Sequence, residues 1–150
     1  MQSIDAEKAA QIWKRVRSQA PDPHSSAAMQ AMITEERTDA VIYLTLSRTL
    51  PGRNGVLLRQ MSEQEQSHIA CLKGIYALIT GEKAAMPRIF PPAQSPEITL
   101  RSCYGREMRS LAAYESRSSD PEYGPVFAHM ALQEQEHCRK LLEIIGSLKP

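Results

Sequence analysis

Aromatic residues are scarce in this sequence: two Phe, one Trp and five Tyr in 150 positions. A core must therefore be built from Leu, Ile, Met, Ala and Tyr, a palette that suits helices better than a β-sandwich. No segment alternates polar and apolar residues with a period of two, so no sheet is expected. Cysteine is also sparse. Cys71, Cys103 and Cys138 are odd in number and widely spaced, which excludes a disulfide framework and a CxxC pair and fits a reducing, cytoplasmic setting. Each reads first as a small buried hydrophobe. No stretch approaches the roughly 20 apolar residues of a membrane span, and the N-terminus lacks the apolar run of a signal peptide. Neither sign of charge dominates: 18 basic and 17 acidic residues leave a net +1. Without a basic block or an aromatic-rich basic face, neither nucleic acid nor an anionic membrane is expected as a partner.

What is present is enough for one domain spanning residues 1–150. An apolar fraction of 42% is ordinary for a globular chain, and a domain of this size buries roughly 70% of the surface its unfolded chain exposes. Residues 3–18 place Ile4, Ala9, Ile12, Trp13 and Val16 on one side and stop before Pro21-Asp22-Pro23, which reads as an accessory amphipathic helix within residues 1–20. Breaker residues then delimit four longer helices. The first is predicted from about Ser26 to Leu50, ending at Pro51-Gly52, and the second from about Asn54 to Thr80, ending at Gly81. The third is predicted from about Ile98 to Arg117, and the fourth from about Pro125 to Leu148. Between the second and third lies a connection over 82–97 carrying Pro87, Pro91, Pro92 and Pro96, an extended strap rather than a helix. Two short-looped hairpins joined by a strap of this length predict an all-α four-helix bundle with one crossover over residues 26–148.

The chemistry lies in which charged residues fall on apolar stripes. In the first long helix Met29, Met32, Ile33, Ala40, Tyr43 and Leu44 recur at helical spacing, and Glu36 shares their stripe. The second places Glu65 and His68 among Leu58, Met61, Leu72, Ile75 and Ile79. The third places Glu107 among Leu100, Cys103, Leu111 and Tyr114, and the fourth places Glu134 and His137 among Phe127, Met130, Leu141, Ile144 and Ile145. A buried unpaired carboxylate is so costly that it takes up a proton or finds a cation. Arg37, Lys73, Arg109 and Arg139 are expected to point elsewhere. Two divalent ions would balance four glutamates while the histidines stay neutral. Glu65-Gln66-Ser67-His68 and Glu134-Gln135-Glu136-His137 are both ExxH, and an i, i+3 pair on a helix shares one face. One glutamate from each of two helices and ExxH from each of the other two is the ligand set of carboxylate-bridged dinuclear bundles.

The two halves also echo each other. Tyr43 follows Glu36 by seven residues and Tyr114 follows Glu107 by seven; Glu65 follows Glu36 by 29 and Glu134 follows Glu107 by 27. This is the pattern of a duplicated hairpin with a pseudo-twofold axis between the metals. Tyr43 and Tyr114 read either as core aromatics or as hydroxyls that hydrogen-bond the ligand carboxylates and could donate an electron. Asp39 reads either as an exposed aspartate or as a group orienting a histidine of the neighbouring helix. Glu35 and Glu115 are the rivals of Glu36 and Glu107. His24 and His129 fall off the stripes, on the surface. Cys71 and Cys103 lie close in sequence to proposed ligands, where a redox role is conceivable.

Through these motifs, over residues 28–148, the chain resembles the ferritin-like superfamily and most closely the small rubrerythrin-like proteins. It lacks their cysteine-rich rubredoxin domain and has Ser110 where they carry a further glutamate, so its six-ligand set is closer to ferritins and bacterioferritins. The resemblance implies that Glu65 and Glu134 bridge two metals, that Glu36 and Glu107 are terminal ligands, and that His68 and His137 bind one metal each. It also implies two iron ions as cofactor (with manganese, a mixed Fe/Mn pair or zinc as alternatives) and oxidase or peroxidase chemistry on dioxygen or hydrogen peroxide. Turnover would draw on an external electron donor and serve oxidative-stress defence or iron handling. A non-catalytic bundle that binds, stores or senses metal is the rival expectation, and the sequence leaves open whether subunits pair as a homodimer.

Overall fold

A computed structural model describes residues 6–9, 11 and 25–148. Four long helices make up the described body: α1 (Ser26–Ser47), α2 (Gly52–Thr80), α3 (Pro96–Ser116) and α4 (Gly124–Ser147). There is no strand among the described residues. Of the expected N-terminal helix, residues 6–9 and 11 are helical; the remainder of that segment, and His24, lie outside the described residues. No described helix is long and apolar enough to cross a membrane.

Local chemistry explains the boundaries. Ser25 caps α1 by accepting a hydrogen bond from the Ala28 N–H at 3.1 Å, and Ser95 caps α3 through the Ile98 N–H. Pro96, expected within the strap, instead opens α3 at its first turn, where its missing N–H costs nothing. α1 ends at Ser47 rather than Leu50, because Pro51 disfavours helical backbone at the residue before it. The Leu50 N–H still closes back on Leu46 O at 2.9 Å. Gly81 ends α2 with φ +73°, the left-handed conformation that glycine adopts freely. Both hairpin turns depend on close backbone approach. A Cβ on Gly55 would lie 2.5 Å from Leu50 O, and one on Gly124 would lie 2.5 Å from Ser118 O.

α1 packs on α2 and α3 on α4, and the hairpins meet through α1–α3 and α2–α4. Two apolar clusters fix the helix directions. The first joins the start of α1 (Met29, Ile33), the end of α2 (Leu72, Ile75), the end of α3 (Tyr114) and the start of α4 (Phe127, Met130). The second joins the opposite ends through Tyr43, Leu58, Leu100 and Leu141. Adjacent helices are therefore antiparallel, and the strap over 81–95 must run the length of the bundle to carry the chain from the end of α2 to the start of α3. Gln30 ties the strap down at its beginning, donating to Ala85 O and accepting from the Ala85 N–H, both at 2.9 Å. Ile79, expected on the buried stripe, is 45% exposed, because α2 runs past the last layer of the first cluster.

Candidate metal centre

Between the two apolar clusters lies a polar layer. Glu36 of α1 sits between Ile33 and Ala40, and Glu65 and His68 of α2 between Met61 and Leu72. Glu107 of α3 sits between Cys103 and Tyr114, and Glu134 and His137 of α4 between Met130 and Leu141. The helical repeat that buries the neighbours on each stripe buries these six as well, and none is more than 2% exposed.

Their functional atoms converge. Glu36, Glu65, His68 and Glu134 offer one ligand atom each within 4.8 Å of one another, and so do Glu65, Glu107, Glu134 and His137. The two groups share Glu65 and Glu134. His68 Nδ1 lies 2.7 Å from Glu134 Oε1 and 3.4 Å from Glu36 Oε2. His137 Nδ1 repeats the arrangement, 2.6 Å from Glu65 Oε1 and 3.4 Å from Glu107 Oε1. The imidazole rings stack across the centre with centroids 6.2 Å apart. Glu36 Oε2, Glu107 Oε2, both oxygens of Glu65 and Glu134, and both Nδ1 atoms lack a hydrogen-bond partner. Buried polar atoms are otherwise almost always satisfied, and these eight belong to the six residues that converge. Carboxylates around imidazole nitrogens are a donor set that could hold a metal ion.

The two remaining carboxylate oxygens, Glu36 Oε1 and Glu107 Oε1, are tied down. Tyr43 of α1 donates to Glu107 Oε1 at 2.7 Å, and Tyr114 of α3 donates to Glu36 Oε1 at 2.5 Å, so each helix supplies the hydroxyl for the other's glutamate. Burial, then the charge of that glutamate, pushes both phenols well above their ordinary range, which keeps them protonated donors. Burial likewise raises the Glu36 carboxyl, against the opposing pull of His68. For His68, burial acts downward, but its contacts with Glu36 and Gln133 and the Glu107 charge outweigh it, and the imidazole is raised. Both shifts express the same thing: without a cation the centre draws protons.

Asp39 is neither exposed nor bound to a histidine. It is 1% exposed and accepts a hydrogen bond from Arg106 Nε at 2.7 Å. Burial and the Glu107 charge push Asp39 up and Arg106 pulls it down. Arg106 itself is raised against burial by the Asp39 carboxylate. The short contact is that of a charge-assisted pair, so Arg106 is engaged by Asp39 and the four central glutamates remain uncompensated.

All six expected ligands are thus brought together, with both tyrosines behind them. Glu35 is half-buried and faces Arg109 at 3.5 Å, and Glu115 is exposed, so neither displaces Glu36 or Glu107. His129 is on the surface. Cys103 and Cys138 are buried, but Cys71 is exposed, against its expected burial, because it falls on the outer face of α2. Three contributors were not anticipated: Arg106, and the glutamines Gln64 and Gln133, which meet His137 and His68. The glutamines had a sequence signal, since each immediately precedes the glutamate of an ExxH motif. No protein-family model, curated protein or solved structure matches the chain.

Proposed function

We propose that the chain is a ferritin-like protein whose bundle holds two metal ions, iron foremost, and acts on dioxygen or hydrogen peroxide with electrons from an external donor. The observation that carries this reading is the convergence of six buried residues, eight of whose ligand atoms have no hydrogen-bond partner. Glu65 and Glu134 belong to both donor groups and are the residues to bridge two ions, with Glu36 and His68 completing one position and Glu107 and His137 the other. Four carboxylates and two neutral imidazoles match two divalent ions in formal charge, and the mixed O/N set suits iron or manganese. Bound iron would supply the one-electron redox chemistry. The chain's own part is to hold and shield. The tyrosine hydroxyls fix Glu36 and Glu107, and the apolar clusters at both ends of the layer exclude bulk water.

The test is anaerobic Fe(II) loading followed by peroxide. Wild-type protein is expected to retain about two irons per chain and to consume peroxide, and a Glu65→Ala/His68→Ala variant to do neither. Equal iron in both would overturn the reading. A second reading, in which the bundle stores or senses metal without turnover, is favoured by the same apolar clusters, which close the layer on both sides along the bundle axis. Stoichiometric iron without peroxide loss would select it.

A further inference from the structure

Each imidazole has its second nitrogen committed. His137 Nε2 lies 2.6 Å from Gln64 Oε1, and His68 Nε2 lies 2.5 Å from Gln133 Oε1. The wiring crosses between hairpins: the glutamine of α2 holds the histidine of α4, and the glutamine of α4 holds the histidine of α2. An amide oxygen only accepts, so the Nε2 it meets must carry a proton. The other nitrogen, Nδ1, is then the one aimed at the glutamates, 2.6 to 2.7 Å from the nearer carboxylate.

Building on the metal-centre reading above, we propose that Gln64 and Gln133 are positioning residues that hold His137 and His68 with Nε2 protonated and Nδ1 facing the ligand layer, whether or not metal is bound. The clamp makes metal uptake an exchange at Nδ1, in which the cation replaces whatever proton Nδ1 shares with a carboxylate and neither ring turns. The acceptor's neutrality matters as well. Carboxylates in place of the two amides would add two negative charges beside a layer that already carries four. With glutamine, the charge to be matched stays at that of the four glutamates, which favours a pair of divalent over trivalent ions.

Histidine-selective ¹⁵N NMR of the full-length chain tests this, metal-free and after loading with diamagnetic Zn(II). Both histidines are expected to show a protonated Nε2 in both states. Gln64→Met is expected to perturb the His137 signals and leave those of His68, and Gln133→Met to do the reverse. Each substitution should weaken Zn(II) binding about 10- to 100-fold, the usual cost of losing a partner behind a metal-bound histidine. Gln64→Glu, which keeps the acceptor, should retain the protonated Nε2 and most of the affinity. An unprotonated Nε2 in the metal-free wild type would overturn the proposal, as would a Gln64→Met variant with unchanged His137 signals and affinity. The wild-type spectrum decides even if a variant fails to fold. Should wild type bind no Zn(II) while the crossed ¹⁵N pattern holds, the clamp stands and the metal reading falls.

Discussion

Glu65→Gln should make the metal-free protein more stable, not less. Both oxygens of Glu65 are buried without a hydrogen-bond partner, and its carboxylate belongs to both donor groups, so it faces Glu36, Glu107 and Glu134 at no more than 4.8 Å. At an effective dielectric of about 20, each such repulsion is worth roughly 3.5 kcal/mol, or about 10 kcal/mol for three. Against this stands attraction to the imidazole of His68, which is raised against burial by its neighbours and lies within the same 4.8 Å, roughly 3.5 kcal/mol on the same scale. Repulsion leads by about 7 kcal/mol, and proton uptake at Glu36, whose carboxyl is already raised by burial, relieves about half of that excess. The isosteric amide should therefore stabilise the metal-free protein by about 3 kcal/mol, a rise in Tm of about 6–12 °C for a chain of this length. Saturating Mn(II) or Zn(II) should reverse the order, since a ligand at a thousand times its Kd adds about 4.1 kcal/mol to wild type and little to the variant. Differential scanning calorimetry with and without metal measures both. A metal-free Glu65→Gln protein melting below wild type would refute the electrostatic reasoning.

Tyr114→Phe leaves Glu36 Oε1 without its donor in a fully buried place and should lower stability by about 1–3 kcal/mol in urea titrations; no loss would mean that the hydroxyl is idle. Glu36 and His68 are both raised above their ordinary values of 4.5 and 6.5, so the folded metal-free state binds more protons than the unfolded one. Its Tm should fall as pH rises from about 4.5 through and beyond 6.5, while the increment in Tm given by metal grows over the same range. A metal-free Tm that climbs across that window would contradict the assignment. Native thiol labelling at pH 7 should modify exposed Cys71 first. Cys138, its thiol pushed up to about 11 by burial, and buried Cys103 should react only on unfolding, which mass spectrometry of the labelled peptides reads out.

Much of this was legible in the sequence because it follows from helical period. Glu36, Glu65, His68, Glu107, Glu134 and His137 sit on apolar stripes, so whatever buries Leu58 or Leu141 buries them too. The seven-residue step from each glutamate to a tyrosine placed Tyr43 and Tyr114 one layer away, although the crossing of each hydroxyl to the other helix's glutamate is a tertiary fact. What escaped was decided between helices. Asp39 and Arg106 are 67 residues apart and find each other only once α1 packs on α3. Gln64 and Gln133 lie off the stripes, and their use depends on how α2 approaches α4. Ile79 failed at a helix end, where periodicity continues but the partner helices do not.

Elemental analysis of the protein as purified from its native source bears most directly on the metal centre. A transition metal, iron foremost, approaching two ions per chain and absent from a Glu65→Ala/His68→Ala variant handled identically, is the predicted result. Protein that retains no metal above the variant, and gains no thermal stability from added Fe(II), Mn(II) or Zn(II), would contradict it.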